Sequence, residues 1–355
     1  PGIPCGRNGH GVPAGVQRVR LADGQHQLAA LRFVTTATAG QDIGLDSGDT
    51  LLISGGLGAV GRALGNVLAQ RGGLNLAILG RREADADTEQ WLDQLRQAGA
   101  ADAAYWQADC ADAASLATAL AAIRQRFGAC HGVIHCAGAL HDGYFLRQPA
   151  SERQAVLRGK TLAAQHLDQA TRSDPLKLFM VCSSLAGTYG NAGQSAYALA
   201  NAWLDRFVEL RRQSPAPGRS LSIAWPLWQT EHGMQAPEPV RQWLTRNGLA
   251  LLPQDRGAEV FLKCLALPQS VLVPVCGERE AVAKLFGIAA PAAAPQPPAP
   301  DTFGGSASLL DYLTGQLAQV TATPPERIDP DTSLEVFGLD SILVMELNGR
   351  LERHF

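Results

Sequence analysis

Thr50-Leu51-Leu52-Ile53-Ser54-Gly55-Gly56-Leu57-Gly58-Ala59-Val60-Gly61 decides the fold of this chain. Its first five residues read as an apolar strand, and Val60–Arg71 reads as the helix that follows. The turn between them holds the pattern Gly56-x-Gly58-x-x-Gly61. Glycine lets the backbone turn tightly and approach a pyrophosphate, and the helix N-terminus adds free N–H groups and a favourable dipole. The pattern alone is common. Placed between a strand and a helix, it points to a dinucleotide, with Gly55, Gly56, Leu57, Gly58, Val60 and Gly61 as candidate contacts.

Outward from this turn the chain alternates. Strands are expected at Asn75–Leu79, Ala104–Ala108, Gly132–His135, Leu176–Ser183, Ser220–Ala224 and Val271–Val275. Helices are expected at Glu89–Ala98, Ala113–Phe127, Ser151–Ala170 and Ala196–Arg212. Repeated strand–helix units predict an α/β fold, a doubly wound parallel sheet of Rossmann type with helices on both faces. Such sheets bind ligands outside the C-terminal ends of their strands. The second strand ends Leu79-Gly80-Arg81-Arg82. An acidic residue there suits the ribose hydroxyls of NAD, whereas an arginine fork suits a 2′-phosphate, so Arg81 and Arg82 favour NADPH over a plain solvated strand end. Asp109 after the third strand is placed to accept from the adenine amino group, with Cys110 beside it. His135-Cys136-Ala137-Gly138 after the fourth strand and Pro226 after the sixth are placed to line the cofactor.

Downstream stands a second constellation. Asn201 lies four residues after Tyr197, Ser184 thirteen before it, and Lys160 twenty-four before that serine. A phenol donates a proton near neutral pH only if a cation and hydrogen-bond donors stabilise its phenolate. Lysine supplies the cation, serine the donor, and asparagine can hold a relaying water. Singly, a helix lysine is usually solvated and a tyrosine is often core. The joint spacing, behind a dinucleotide turn, describes hydride and proton transfer to a carbonyl.

The 355 residues suggest two or three units, and 46% hydrophobic content suffices for a sizeable core. A net charge of −3 without a basic stripe argues against nucleic-acid binding. No apolar run reaches the roughly 18–20 residues of a membrane helix. Pro1-Gly2-Ile3-Pro4-Cys5 has no basic region before an apolar core, so no secretory signal is expected. Seven scattered cysteines without a CxxC pair read as reduced thiols of a cytoplasmic protein. His131 and His135, four apart on a strand, stand too far apart for a metal, and none is expected.

The segments outside the sheet are short. Gly15–Val19 and Gln27–Val34 are strand candidates around the turn Ala22-Asp23-Gly24. Ala289–Pro300, AAPAAAPQPPAP, is a semi-rigid extended linker. Leu309, Leu310, Leu313, Leu317 and Val320 then recur at helical spacing, ahead of Phe337-Gly338-Leu339-Asp340-Ser341-Ile342 and a second amphipathic stretch.

SGGLGAVG, LGRR, SSLAGTYGNAGQSAYALANAWLD and AWPLW at 224–228 resemble the ketoreductase domain of a modular polyketide synthase, a branch of the short-chain dehydrogenase/reductase family. Most short-chain reductases place the lysine where Asn201 stands, and this branch places it before the serine, as here. The resemblance divides the chain into a structural-subdomain remnant (1–46), an NADPH-binding catalytic domain (47–288), an Ala/Pro-rich linker (289–305) and a partial helical acyl carrier domain (306–355). It implies reduction of a carrier-bound β-ketoacyl thioester, with Tyr197 protonating the alkoxide, Ser184 polarising the oxygen, Lys160 steadying the phenolate and Asn201 orienting a water or the lysine. It makes Ser341 the phosphopantetheine attachment site and other synthase domains the partners. Leu140-His141-Asp142 resembles the Leu-Asp-Asp fingerprint of D-hydroxy producers, with His141 departing from it, while Tyr189 stands where the opposite class tends to carry tryptophan. Asp142, Tyr189 and Met234 are thus the substrate and stereocontrol candidates, with 233–249 as a lid. Two alternatives stand beside this: a catalytically silent scaffold that tethers a chain on Ser341, and a discrete fatty-acid ketoreductase.

Overall fold

A computed structural model describes residues 19–22, 25–28, 31, 33, 44–143, 145–191, 193–229, 238–288, 309–321, 324, 327 and 328. Two compact units divide the chain: Phe33–Val282, and Pro1–Arg32 together with Ala283–Phe355.

Within the larger unit, strands and helices alternate as β3 (Thr50–Ser54), α1 (Ala59–Arg71), β4 (Asn75–Gly80), α2 (Ala86–Gln97), β5 (Asp102–Gln107), α3 (Ala113–Phe127) and β6 (Gly132–His135). Then come α4 (Ala150–Leu157), a π-helical turn (Arg158–Leu162), α5 (Ala163–Ala170), β7 (Leu178–Ser184), α6 (Leu185–Tyr189), α7 (Ser195–Arg212) and β8 (Arg219–Trp225). The unit ends with β9 (Trp228–Gln229), α8 (Glu238–Arg246), β10 (Leu249–Ala250), β11 (Leu252–Pro253), α9 (Gln254–Ala266), β12 (Val271–Leu272), β13 (Cys276–Gly277) and the start of α10 (Arg279–Leu285). In the other unit, β1 (Val19–Ala22) and β2 (Gln25–Leu28) pair antiparallel. There α11 (Leu309–Thr321) buries Leu317 and Ala318 with Ile328.

The central sheet runs β12-β8-β7-β6-β3-β4-β5, every pairing parallel. Successive residues face opposite sides of a strand. Leu51 and Ile53 of β3 therefore join Met180 of β7 in one core layer, under Leu64 and Leu68 of α1, Trp91 of α2 and Phe261 of α9. Leu52, Phe179 and Val181 join the other layer, under Leu120 and Ile123 of α3, Leu167 of α5 and Leu204 and Val208 of α7. This is the expected doubly wound sheet. Strand order reverses between β3 and β6, which opens a crevice beyond their C-terminal ends. Ser54-Gly55 and His135-Cys136 lie at that point.

Several expected boundaries shift. The helix Ser151–Ala170 is interrupted by the π-turn, in which Ala163 N–H reaches back to Arg158 O. The strand at Val271–Val275 stops at Leu272, because Pro274 has no N–H for a ladder. The expected strand Leu176–Ser183 starts at Leu178, after Leu176 N–H turns back to Asp174 O. Of the N-terminal segment, Val19–Ala22 and Gln25–Leu28 form strands, while 15–18, 29, 30, 32 and 34 of the expected strands lie outside the described residues.

Candidate active site

The glycine turn is built by close approach. Gly55 has φ +69°, and a Cβ there would sit 2.5 Å from the backbone of Ala137. A Cβ on Gly61 would sit 2.6 Å from Gly55 O, and one on Gly56 2.6 Å from Ile78 Cγ2. The chain can thus fold back under its own helix only without side chains. Helices α2 and α3 are capped by Asp85 and Asp112, whose carboxylates accept from the first-turn N–H groups. By contrast, α1 begins at Gly58 with no side-chain cap and no acidic residue in its first turn. Its terminal N–H groups and positive dipole end remain for an anion. This donor set fits a dinucleotide pyrophosphate.

The remaining cofactor candidates fall around that turn. Arg81 and Arg82 directly follow β4 with exposed side chains, and their carbonyls accept from Gln107 Nε2 and the Tyr105 hydroxyl respectively. Asp109 commits Oδ1 to Ala111 N–H at 2.9 Å. Cys110 is core: burial pushes its thiol up to about 12, and Ser54 is its hydrogen-bond partner, so any contact it makes with a cofactor falls to its backbone. Cys136 Sγ lies 3.2 Å from Cys182 Sγ. Pro226 follows β8 directly and is half-buried. His135 differs from the expectation that it lines the cofactor. Its ring is fully buried, 2.6 Å from Ser54 Oγ through Nδ1 and 3.0 Å from Lys160 O through Nε2. Burial drives its pKa down to about 3.

Lys160, Tyr197 and Asn201 come together. Lys160 sits in the π-turn with its side chain buried, donates from Nζ to Cys182 O at 3.1 Å, and holds Nζ 5.4 Å from the Tyr197 ring centroid. Gly138 makes room for it, since a Cβ there would lie 2.9 Å from Lys160 Cε. Asn201, one turn after Tyr197 on α7, donates from Nδ2 to Tyr197 O at 2.8 Å. Its Oδ1 is buried and has no hydrogen-bond partner among the described residues. Gly187 of α6 allows the approach, because a Cβ there would lie 2.7 Å from Asn201 Cβ. Ser183 turns inward to donate to Asn201 O at 3.2 Å. Ser184 ends β7 and caps α6, its Oγ accepting from Ala186 N–H at 3.3 Å, which leaves its own O–H to donate.

Tyr189 closes α6, eight residues before Tyr197. Asp142 is exposed, and Gln194 Nε2 donates to both of its carboxylate oxygens at 3.0 and 3.1 Å. Gly143 N–H bonds Gly193 O at 2.7 Å, so the loop after β6 is zipped to the turn that opens α7. Gln194 was not among the sequence candidates; its signal is its place three residues ahead of Tyr197. Met234 and Ser341 lie outside the described residues, as do 233–237 of the expected lid, whose continuation forms α8 and Leu249 of β10. Among the described residues no group of three or more His, Cys, Asp or Glu could hold a metal ion.

A family model described as KR domain matches residues 49–230, and one described as phosphopantetheine attachment site matches residues 311–355. Polyketide synthase ThaG of Burkholderia thailandensis is 33% identical over 302 residues, covering 83% of this chain and 5% of that synthase. Polyketide synthase PksL of Bacillus subtilis is 29% identical over 327 residues, covering 86% of this chain and 7% of its own length. The chain thus spans a small part of these curated relatives. Among solved structures, a ketoreductase domain from the bacillaene assembly line superposes with a TM-score of 0.68 at 29% identity, over 76% of this chain and 64% of that one.

Proposed function

This chain belongs to the KR domain family, the ketoreductases of modular polyketide synthases, and from that premise we propose its reaction: NADPH-dependent reduction of a carrier-bound β-ketoacyl thioester to the D-configured 3-hydroxyacyl thioester. The observation that carries the reading is the meeting of Lys160, Tyr197 and Asn201 beside the uncapped glycine turn. A nicotinamide dinucleotide supplies the hydride when bound. Gly55, Gly56, Gly58 and Gly61 with the α1 N-terminus hold its pyrophosphate, and Arg81 and Arg82 its 2′-phosphate. Ser184 donates its free O–H to the ketone oxygen, where negative charge develops. Tyr197 gives that oxygen its proton. The Lys160 ammonium, held by Cys182 O, compensates the phenolate left behind. The unpaired Oδ1 of Asn201 accepts a water through which the proton is replaced.

The substrate arrives on a pantetheine arm. Residues 306–355 act as the carrier with Ser341 as its attachment site, joined by the 289–305 linker to the 47–288 catalytic domain, with 1–46 as the structural remnant. Other synthase domains are its partners, and the setting is cytoplasmic. Asp142, through Gln194, shapes the loop over the substrate and favours the D product. The test is the full chain with a short β-keto thioester, NADPH against NADH, and chiral analysis of the alcohol. D-alcohol formed faster with NADPH is expected. No turnover by folded protein overturns the enzymatic reading in favour of a silent scaffold, and L-alcohol overturns the role of Asp142.

A further inference from the structure

We propose that His135 is a positioning residue for Lys160, an inference that rests on the ketoreductase reading above. Ser54 and His135 are register partners at the ends of β3 and β6, where the sheet order reverses. Both are fully buried, and Lys160 is nearly so. Lys160 O can only accept, so His135 Nε2 must carry the proton that bridges the 3.0 Å to it. Nδ1 is then an acceptor and takes the Ser54 hydroxyl at 2.6 Å. Both ring nitrogens are committed, and one neutral tautomer satisfies the pair.

The second partner gives the ring its function. Lys160 lies in a π-turn, where the extra residue breaks the ordinary α-helical ladder. Of the carbonyls in that turn, Lys160 O is met by a side chain from another element, and that side chain is His135. The lysine is therefore fixed at two points: its backbone by His135, its ammonium by Cys182 O at 3.1 Å. The Gly138 backbone closes over the side chain between them. Loss of the first point frees the π-turn to relax toward α-helical geometry and carries Nζ away from Tyr197. The phosphates are assigned to the glycine turn and to Arg81 and Arg82 rather than to Lys160, so the effect is expected on the chemical step.

Two near-isosteric replacements separate this role from plain packing. His135→Gln extends an amide N–H toward Lys160 O. His135→Asn retains an acceptor for Ser54 but falls short of Lys160 O. In the full chain, both variants are expected to bind NADPH with the parent's affinity. His135→Asn should lower kcat by about 10²-fold with little change in KM, and His135→Gln should restore most of that loss. Equal losses in the two variants, parental kcat in both, or loss of NADPH binding in both overturns the proposal. The parent's own turnover in the same assay reports separately on the ketoreductase reading.

Discussion

Gly138 shows how closely the site depends on a missing atom. Its virtual Cβ lies 2.9 Å from Lys160 Cε, so Gly138→Ala has to displace the lysine. We expect kcat to fall by about 10²-fold while the unfolding midpoint stays close to the parent's, as steady-state kinetics and denaturant unfolding would read. His135 sets a pH dependence of stability. Its folded pKa is about 3 against an ordinary 6.5, so below 6.5 the unfolded chain takes up a proton that the native chain refuses. Stability from this group is intact above 6.5 and falls by about 1.4 kcal/mol per pH unit toward the folded value. Urea midpoints should show that slope between about pH 6 and 4.5, and His135→Gln should flatten it. An unchanged slope would assign it to other groups. The meeting of Lys160, Tyr197 and Asn201 was legible because their spacing is a pattern along the chain. The burial of His135 was not, because it arises where β3, β6 and the π-turn cross.

At the scale of elements, strands β3 and β6 coincide with the sequence expectation because each is buried along its whole length and carries an apolar centre, Leu51–Ile53 and Val133–Ile134. The π-turn left no trace, because one inserted residue leaves the apolar spacing of Ser151–Ala170 almost unaltered. Short pieces such as β9, β10 and β11 carry too few residues to show a period. The end of β4 carries a prediction of its own. Arg81 and Arg82 present exposed guanidinium groups beyond the sheet, next to the glycine turn. Replacing both with alanine should raise KM for NADPH about 10-fold or more and leave KM for NADH nearly unchanged, since a hydrogen bond to a charged group is worth about 1.5–3 kcal/mol. Equal effects on both coenzymes would remove the 2′-phosphate from their role.

Across the whole molecule, the strand order that opens the crevice was only partly legible. Alternating strands and helices imply a parallel sheet, but the reversal between β3 and β6 is a non-local pairing that no local pattern encodes. What joins α7, α5 and β8 is also non-local. Arg211 and Asp168 form an ion pair at 2.7 Å with side chains 1% and 4% exposed, and Arg211 also donates to Ser220 Oγ and lies over the Phe179 ring. Among the described residues, Arg211→Leu leaves Asp168 with only the half-exposed Arg172 as an ion-pair partner. Denaturant unfolding should show a loss of about 3–5 kcal/mol, and a loss below about 1 would mean that the pair is dispensable to the packing. The central claim concerns convergence: side chains distant along the chain form one proton-transfer site beside the dinucleotide turn. Its most direct test is Tyr197→Phe in the full chain, measuring NADPH oxidation against a β-keto thioester together with NADPH affinity. Turnover should fall by about 10²–10⁴-fold with affinity unchanged. A phenylalanine variant that still reduces the ketone at the parent's rate would contradict it.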